Sequence, residues 1–159
     1  MNESPALDVS AAHRFFSATC FNRTWELLDK ADRTLDDDEA MIGCCLASLW
    51  HWRERPDVSK RNLSIGYWQA SRVYAVLGQA QNAWRYGELC LRISEGEEPF
   101  YLGYAYESLA RAAKLAGDAS LTQQYLRHAM ELVAQLPEGE EREMLMQDIK
   151  SLTDGGIVA

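Results

Sequence analysis

What this chain has little of narrows its reading first. It holds four cysteines, Cys20, Cys44, Cys45 and Cys90, and no two stand at C-x-x-C spacing. That removes the common zinc and dithiol signatures and leaves the thiols as small core residues of a reducing compartment. Basic residues are scarce: 16 Lys and Arg face 24 Asp and Glu, for a net charge of −8. A surface that follows a phosphate backbone needs clustered cations that release counterions, so nucleic acid is not an expected partner. No apolar run reaches the roughly 20 residues of a membrane span, and the first residues lack the basic start and apolar stretch of a secretory signal. A cytoplasmic protein with no membrane partner is the expectation. A nucleophile elbow, a Gly-rich phosphate loop and a paired-carboxylate motif are also missing, so no catalytic residue, cofactor or metal is assigned and the chain is read as a non-enzyme.

What is present is the composition of a globular protein. Apolar residues make up 47% and charged residues 25% of 159 positions, with five Trp and seven Tyr to supply large buried areas. A chain of this length is about one domain and can bury roughly two-thirds of its unfolded surface without disulfides or metals. The domain is expected over residues 1–153, with residues 154–159 as a frayed tail.

Helical spacing runs through nearly all of it. Asp8 or Ser10 can cap a helix carrying Ala11, Ala12, Phe15, Phe16 and Ala18, and Asn22 can cap a second with Trp25, Leu27, Leu28 and Ala31. The run Asp36 to Glu39 precedes a helix over Ala40 to Arg55, where carboxylates in a first turn face the positive end of the helix dipole. Consecutive helical carboxylates point in different directions, which makes an ion site there unsuitable. That third helix is apolar nearly all round, so it is expected in a middle layer. Pro56, Pro99 and Pro137 fall at the breaks between later segments, and Glu140 to Leu152 reads as an amphipathic last helix.

One helix-turn-helix pattern occurs twice. Tyr67, Ala70, Ser71, Tyr74, Gly78, Ala83, Cys90 and Leu91 recur 39 residues later as Tyr106, Leu109, Ala110, Ala113, Gly117, Thr122, Ala129 and Met130. The clear copies span about 64–97 and 103–136, preceded by looser helices over 8–55 and closed by a capping helix at 140–152. Small residues at Ser71, Ala83, Ala110 and Ala129 let paired helices approach, while Gly78 and Gly117 sit where each hairpin turns.

These two copies resemble the tetratricopeptide repeat, with an early aromatic, a small residue at the close helix contact and a Gly at the turn. The resemblance covers about seventy residues, and the chain as a whole is similar to bacterial helical-repeat proteins of this kind. Gly87 stands where the repeat has an aromatic, Thr122 where it has Ala, and the period exceeds the usual roughly 34 residues. The resemblance implies an all-α, right-handed array of helical hairpins, about seven helices with a C-terminal cap. It also implies a concave groove lined by the first helix of each repeat that holds a peptide or partner protein.

The groove positions here are Ile65, Trp68, Arg72 and Val76, then Tyr104, Glu107, Arg111 and Leu115. Arg72 and Arg111 lie one period apart, and two guanidinium groups on adjacent layers suit a carboxylate or acidic peptide. In the competing reading Arg111 pairs with Glu107 one turn earlier and Arg72 is solvated. Trp68 and Tyr104 would add apolar contact, or belong to the core. A second candidate is His51 with Trp52: a proton-transfer or small-molecule site, or a histidine satisfied at a helix interface. Trp50 and Trp52 lie about 200° apart around the helix and cannot both flank His51. His51 with Cys44, or with His13 and His128, lacks metal-ligand spacing. Met144 and Met146 fit an adaptable partner-binding helix or a plain cap, and the apolar surface allows a homodimer.

Overall fold

A computed structural model describes residues 8–153. The expected tail over residues 154–159, and the start of the chain before residue 8, lie outside the described residues. Among the described residues there are seven α-helices and no strand: α1 (Val9–Leu28), α2 (Leu35–Arg53), α3 (Lys60–Val76), α4 (Ala80–Ser94), α5 (Pro99–Leu115), α6 (Ala119–Val133) and α7 (Glu140–Thr153). None is long and apolar enough to cross a membrane.

The helix starts follow from local chemistry. Asp8 caps α1, and Thr34 caps α2 in a reciprocal box with Asp37. Ser59 and Asn62 do the same for α3, Pro99 occupies the first turn of α5, and Asp118 caps α6. The carboxylates Asp36, Asp37 and Asp38 lie in the first turn of α2, where Asp37 holds Lys30 at 2.6 Å and Asp38 holds Arg33 at 3.2 Å. All three are helix-start residues, and Asp37 and Asp38 have cationic partners. Gly78 and Gly117 take φ of +73° and +78° at the α3/α4 and α5/α6 turns, the left-handed conformation that closes both hairpins alike.

Two expectations change. The N-terminal region is one helix, not two broken at Asn22. No Gly or Pro interrupts it, and the polar residues that read as a boundary are absorbed by the helix. Ser17 Oγ donates to the Arg14 carbonyl and Thr24 Oγ1 to the Cys20 carbonyl, both within the helix. Helix α2 begins five residues before Ala40, at Leu35; it packs against α1 and α3, and Trp50 remains 55% exposed.

Helices pair as hairpins α1/α2, α3/α4 and α5/α6, with α7 against α5 and α6. Each even-numbered helix packs between its hairpin partner and the next odd-numbered one. The odd-numbered helices also meet each other: α3 packs on α5 and α5 on α7. Helix α1 reaches α3 through Gln69 Nε2 donating to the Phe21 carbonyl at 3.2 Å and through Trp25 against Trp68, ring centres 5.5 Å apart.

The close approaches are made by small residues, as the repeat pattern predicts. Ala70, Ala83, Ala110 and Ala129 are fully buried, and Ser71 Oγ donates to the Ala83 carbonyl at 2.8 Å, tying α3 to α4. Gly87 has a reason in the fold: Leu109 of α5 fills the space its side chain would need, and a Cβ there would lie 2.9 Å from Leu109 Cδ2. The same device recurs at Gly103, whose missing Cβ makes room for Leu145 of α7.

Candidate functional site

The odd-numbered helices enclose a cavity of about 440 Å³ on their shared face. Helix α1 contributes Phe21 and Trp25, one turn apart. Helix α3 adds Ser64, Ile65, Trp68 and Arg72, again at turns of the helix. Phe100, Tyr101 and Tyr104 come from the start of α5, and Met144 and Asp148 from α7. The rings touch in a chain: Trp25 on Trp68, Trp68 on Tyr104 at 4.9 Å, and Tyr104 on Phe100 at 5.1 Å. The lining is therefore mostly aromatic, with one ion pair, Arg72 and Asp148, at its edge.

Behind that edge lies a buried polar cluster. Glu107 is fully buried; its Oε1 accepts from Arg111 Nε at 2.9 Å and Arg111 Nη2 at 2.6 Å, and its Oε2 accepts from Trp68 Nε1 at 3.0 Å. Arg72 Nη2 stands 3.5 Å from the same Oε1 and donates to Asp148 Oδ1 at 2.9 Å, while Tyr104 donates its hydroxyl to Asp148 Oδ2 at 3.0 Å. Two carboxylates thus meet two guanidinium groups, and the charges balance. Burial by itself would raise the Glu107 carboxyl, but Arg111, Arg72 and the Trp68 hydrogen bond outweigh it and hold the group below its ordinary range. Arg72 is opposed by its own burial and held charged by Glu107 and Asp148. Burial, then Asp148, pushes the Tyr104 hydroxyl up, so it stays a donor.

The two period-related arginines do not face a shared concavity. Arg72 reaches the cavity wall, whereas Arg111 is 6% exposed and turns inward to Glu107 and to Ser151 of α7. Of the two sequence readings, the Arg111–Glu107 pair is present, and Arg72 is neither solvated nor free for a ligand: it is engaged by Glu107 and Asp148. The physical reason is α7, which lies along α5 and brings Asp148 to the position an incoming carboxylate would need. Trp68 and Tyr104 line the cavity; Glu107 and Arg111 lie beneath it.

Sequence reasoning missed Phe21 and Trp25, whose i, i+4 spacing was legible but carried no signal that α1 meets α3. It also missed Asp148, because nothing in a repeat pattern tells which face of a closing helix carries a partner for Arg72. Met144, on α7, is 47% exposed at the cavity rim.

At the second candidate, His51 and Trp52 part company. Trp52 lies under the Arg55 guanidinium, 3.8 Å from its ring centre. His51 Nδ1 is 2.9 Å from Nδ1 of His13 on α1, and Trp50, not Trp52, packs on it at 4.9 Å. His128 is on α6 beside Tyr106 and Glu131. Burial pushes the Cys45 and Cys90 thiols up to about 12, so both are inert core groups.

Compared with known proteins, the chain matches no protein-family model, no curated protein and no solved structure.

Proposed function

We propose that this protein is a non-catalytic interaction module, a divergent tetratricopeptide-like array in a bacterial cytoplasm, whose odd-numbered helices take a segment of a partner protein. The observation that carries the reading is the cavity: about 440 Å³, walled by Phe21, Trp25, Trp68, Phe100 and Tyr104. That volume lies within the range of ligand sites, and apolar, aromatic walls with a few polar groups at one edge are what such sites present. An extended or helical segment laid across α1, α3, α5 and α7 would seat one bulky apolar side chain there and leave its backbone at the rim.

Charge balance narrows the partner. Arg72 and Arg111 are matched by Glu107 and Asp148, so an acidic anchor would have to displace Asp148 from Arg72 and leave that carboxylate unpaired in a half-buried place. The anchor favoured here is a neutral Leu, Phe or Trp. Arg72 Nε is buried without a hydrogen-bond partner. Such an orphan costs about 1–3 kcal/mol, and it lies where the Arg72 guanidinium stands 5.3 Å from the Trp68 ring centre at the cavity edge.

The test is a panel of capped peptides with a single Leu, Phe or Trp in a neutral background, set against Asp- and Glu-rich peptides, read by fluorescence anisotropy. Apolar-anchored peptides should bind, and Ile65→Asp, which places a carboxylate in the wall, should abolish binding with the helical content unchanged. Binding of acidic peptides alone, indifferent to Ile65→Asp, would overturn the proposal.

A further inference from the structure

The α1/α2 hairpin carries a second arrangement, remote from the α3/α5/α7 cluster. His13 and His51 sit on neighbouring helices with their Nδ1 atoms 2.9 Å apart, ring centres 5.0 Å apart and planes inclined by 55°. Each imidazole is the other's hydrogen-bond partner, and among the described residues no carboxylate pairs with either. Both rings are half-buried. Phe16 packs on His51 at 5.3 Å and Trp50 on His13 at 5.3 Å, and these two aromatics are 43% and 55% exposed.

The spacing is fixed by packing. One turn along from the pair, Ser48 Oγ of α2 donates to the Ser17 carbonyl of α1 at 2.8 Å in a buried contact, and Arg55 Nη1 donates to Ser17 Oγ at 3.0 Å. The two helices are therefore locked beside the imidazoles, and the ring nitrogens are brought together before any ligand arrives. Two imidazoles that face each other without a counter-charge are a poor stabilising device. At most one proton is shared between them, and a second would place like charges in contact. Two nitrogen lone pairs held together by rigid helices are, by contrast, a chelate.

We propose that His13 and His51 form a two-imidazole site for a borderline divalent transition-metal ion. At metal–nitrogen bonds of about 2.0–2.1 Å, nitrogens at this separation subtend roughly 90° at the ion. That is the edge of a square-planar or octahedral shell, the geometry of Ni²⁺ and Cu²⁺; a tetrahedral Zn²⁺ site needs a separation of roughly 3.3 Å. A modest rotation of the two rings turns the shared-proton arrangement into the chelating one. No group of three or more His, Cys, Asp or Glu suited to a metal occurs among the described residues, so water completes the shell.

Ni²⁺ is the probe, because it does not oxidise thiols. Untagged, chelator-treated protein is titrated with NiCl₂ by calorimetry and by quenching of tryptophan emission, alongside His13→Gln, His51→Gln and the control His128→Gln. One equivalent should bind, with Zn²⁺ weaker. Either His13→Gln or His51→Gln should weaken binding on the order of 100-fold, the advantage of two tethered ligands over one, and His128→Gln should leave it unchanged. Circular dichroism confirms that each variant is folded. Failure of the wild-type protein to bind Ni²⁺, or binding by either His13→Gln or His51→Gln as tight as that of the wild type, would overturn the site.

Discussion

Glu107→Gln is the sharpest probe of how this molecule is held together. Both oxygens of Glu107 are occupied by donors: Oε1 by Arg111 and, more distantly, Arg72, and Oε2 by Trp68 Nε1. A glutamine has one acceptor and one NH₂ group, so either orientation turns a donor against a donor. The substitution also leaves Arg72 and Arg111 with Asp148 as their one remaining counter-charge. Removing one member of a buried ion cluster costs about 3–5 kcal/mol, a large share of the roughly 5–15 kcal/mol that stabilises a domain. In a chain of this size each kcal/mol lowers Tm by about 2–4 °C, so a fall of about 10 °C is expected. Urea unfolding followed by tryptophan emission and by circular dichroism gives the free energy directly. Replacing the pair, Glu107→Leu with Arg111→Met, should restore much of what Glu107→Leu alone loses, because no uncompensated partner of that pair is left. The pH dependence has a definite sign. Since the folded Glu107 carboxyl lies below its unfolded value, its contribution is complete above the unfolded carboxylate range near about pH 4.3 and is lost as pH falls through the lower folded value. The gap between wild type and Glu107→Gln should accordingly narrow in acid. A loss under about 1 kcal/mol at pH 7, the level of a solvated surface pair, would refute the reasoning.

Two further expectations follow from the packing. In Gly103→Ala the new Cβ would lie 2.5 Å from Cδ2 of the fully buried Leu145; overpacking of about 1–3 kcal/mol outweighs about 1 kcal/mol of helix propensity gained. The net loss, about 1 kcal/mol by urea unfolding, should shrink when Leu145→Val is added. A thiol reagent at pH 8 should label the partly exposed Cys20 and Cys44 in the native protein, while Cys45 and Cys90, with thiols near 12, should react only after unfolding.

The sequence by itself determined most of the secondary structure and the repeat. Turn glycines at Gly78 and Gly117, the cap at Asp8, and small residues at Ser71, Ala83, Ala110 and Ala129 act within a turn or between adjacent helices, where periodicity reports directly on geometry. It was misleading at Asn22, because a polar residue that can cap a helix is also tolerated inside one when no Gly or Pro breaks the chain. The cavity, and the joining of Arg72 and Asp148 to the Arg111–Glu107 pair, were decided by tertiary structure alone. Arg72 and Arg111 share a repeat position, yet one edges a cavity and the other is sealed: Arg111 turns in to Glu107 and to Ser151 of α7, whereas Arg72 lies at the cavity wall against Asp148. Which face α7 turns inward depends on Leu145 entering the gap at Gly103, and that choice carries Asp148 to Arg72. The meeting of His13 with His51 is of the same kind: 38 residues separate them, and only the packing of α1 on α2 brings the two rings together.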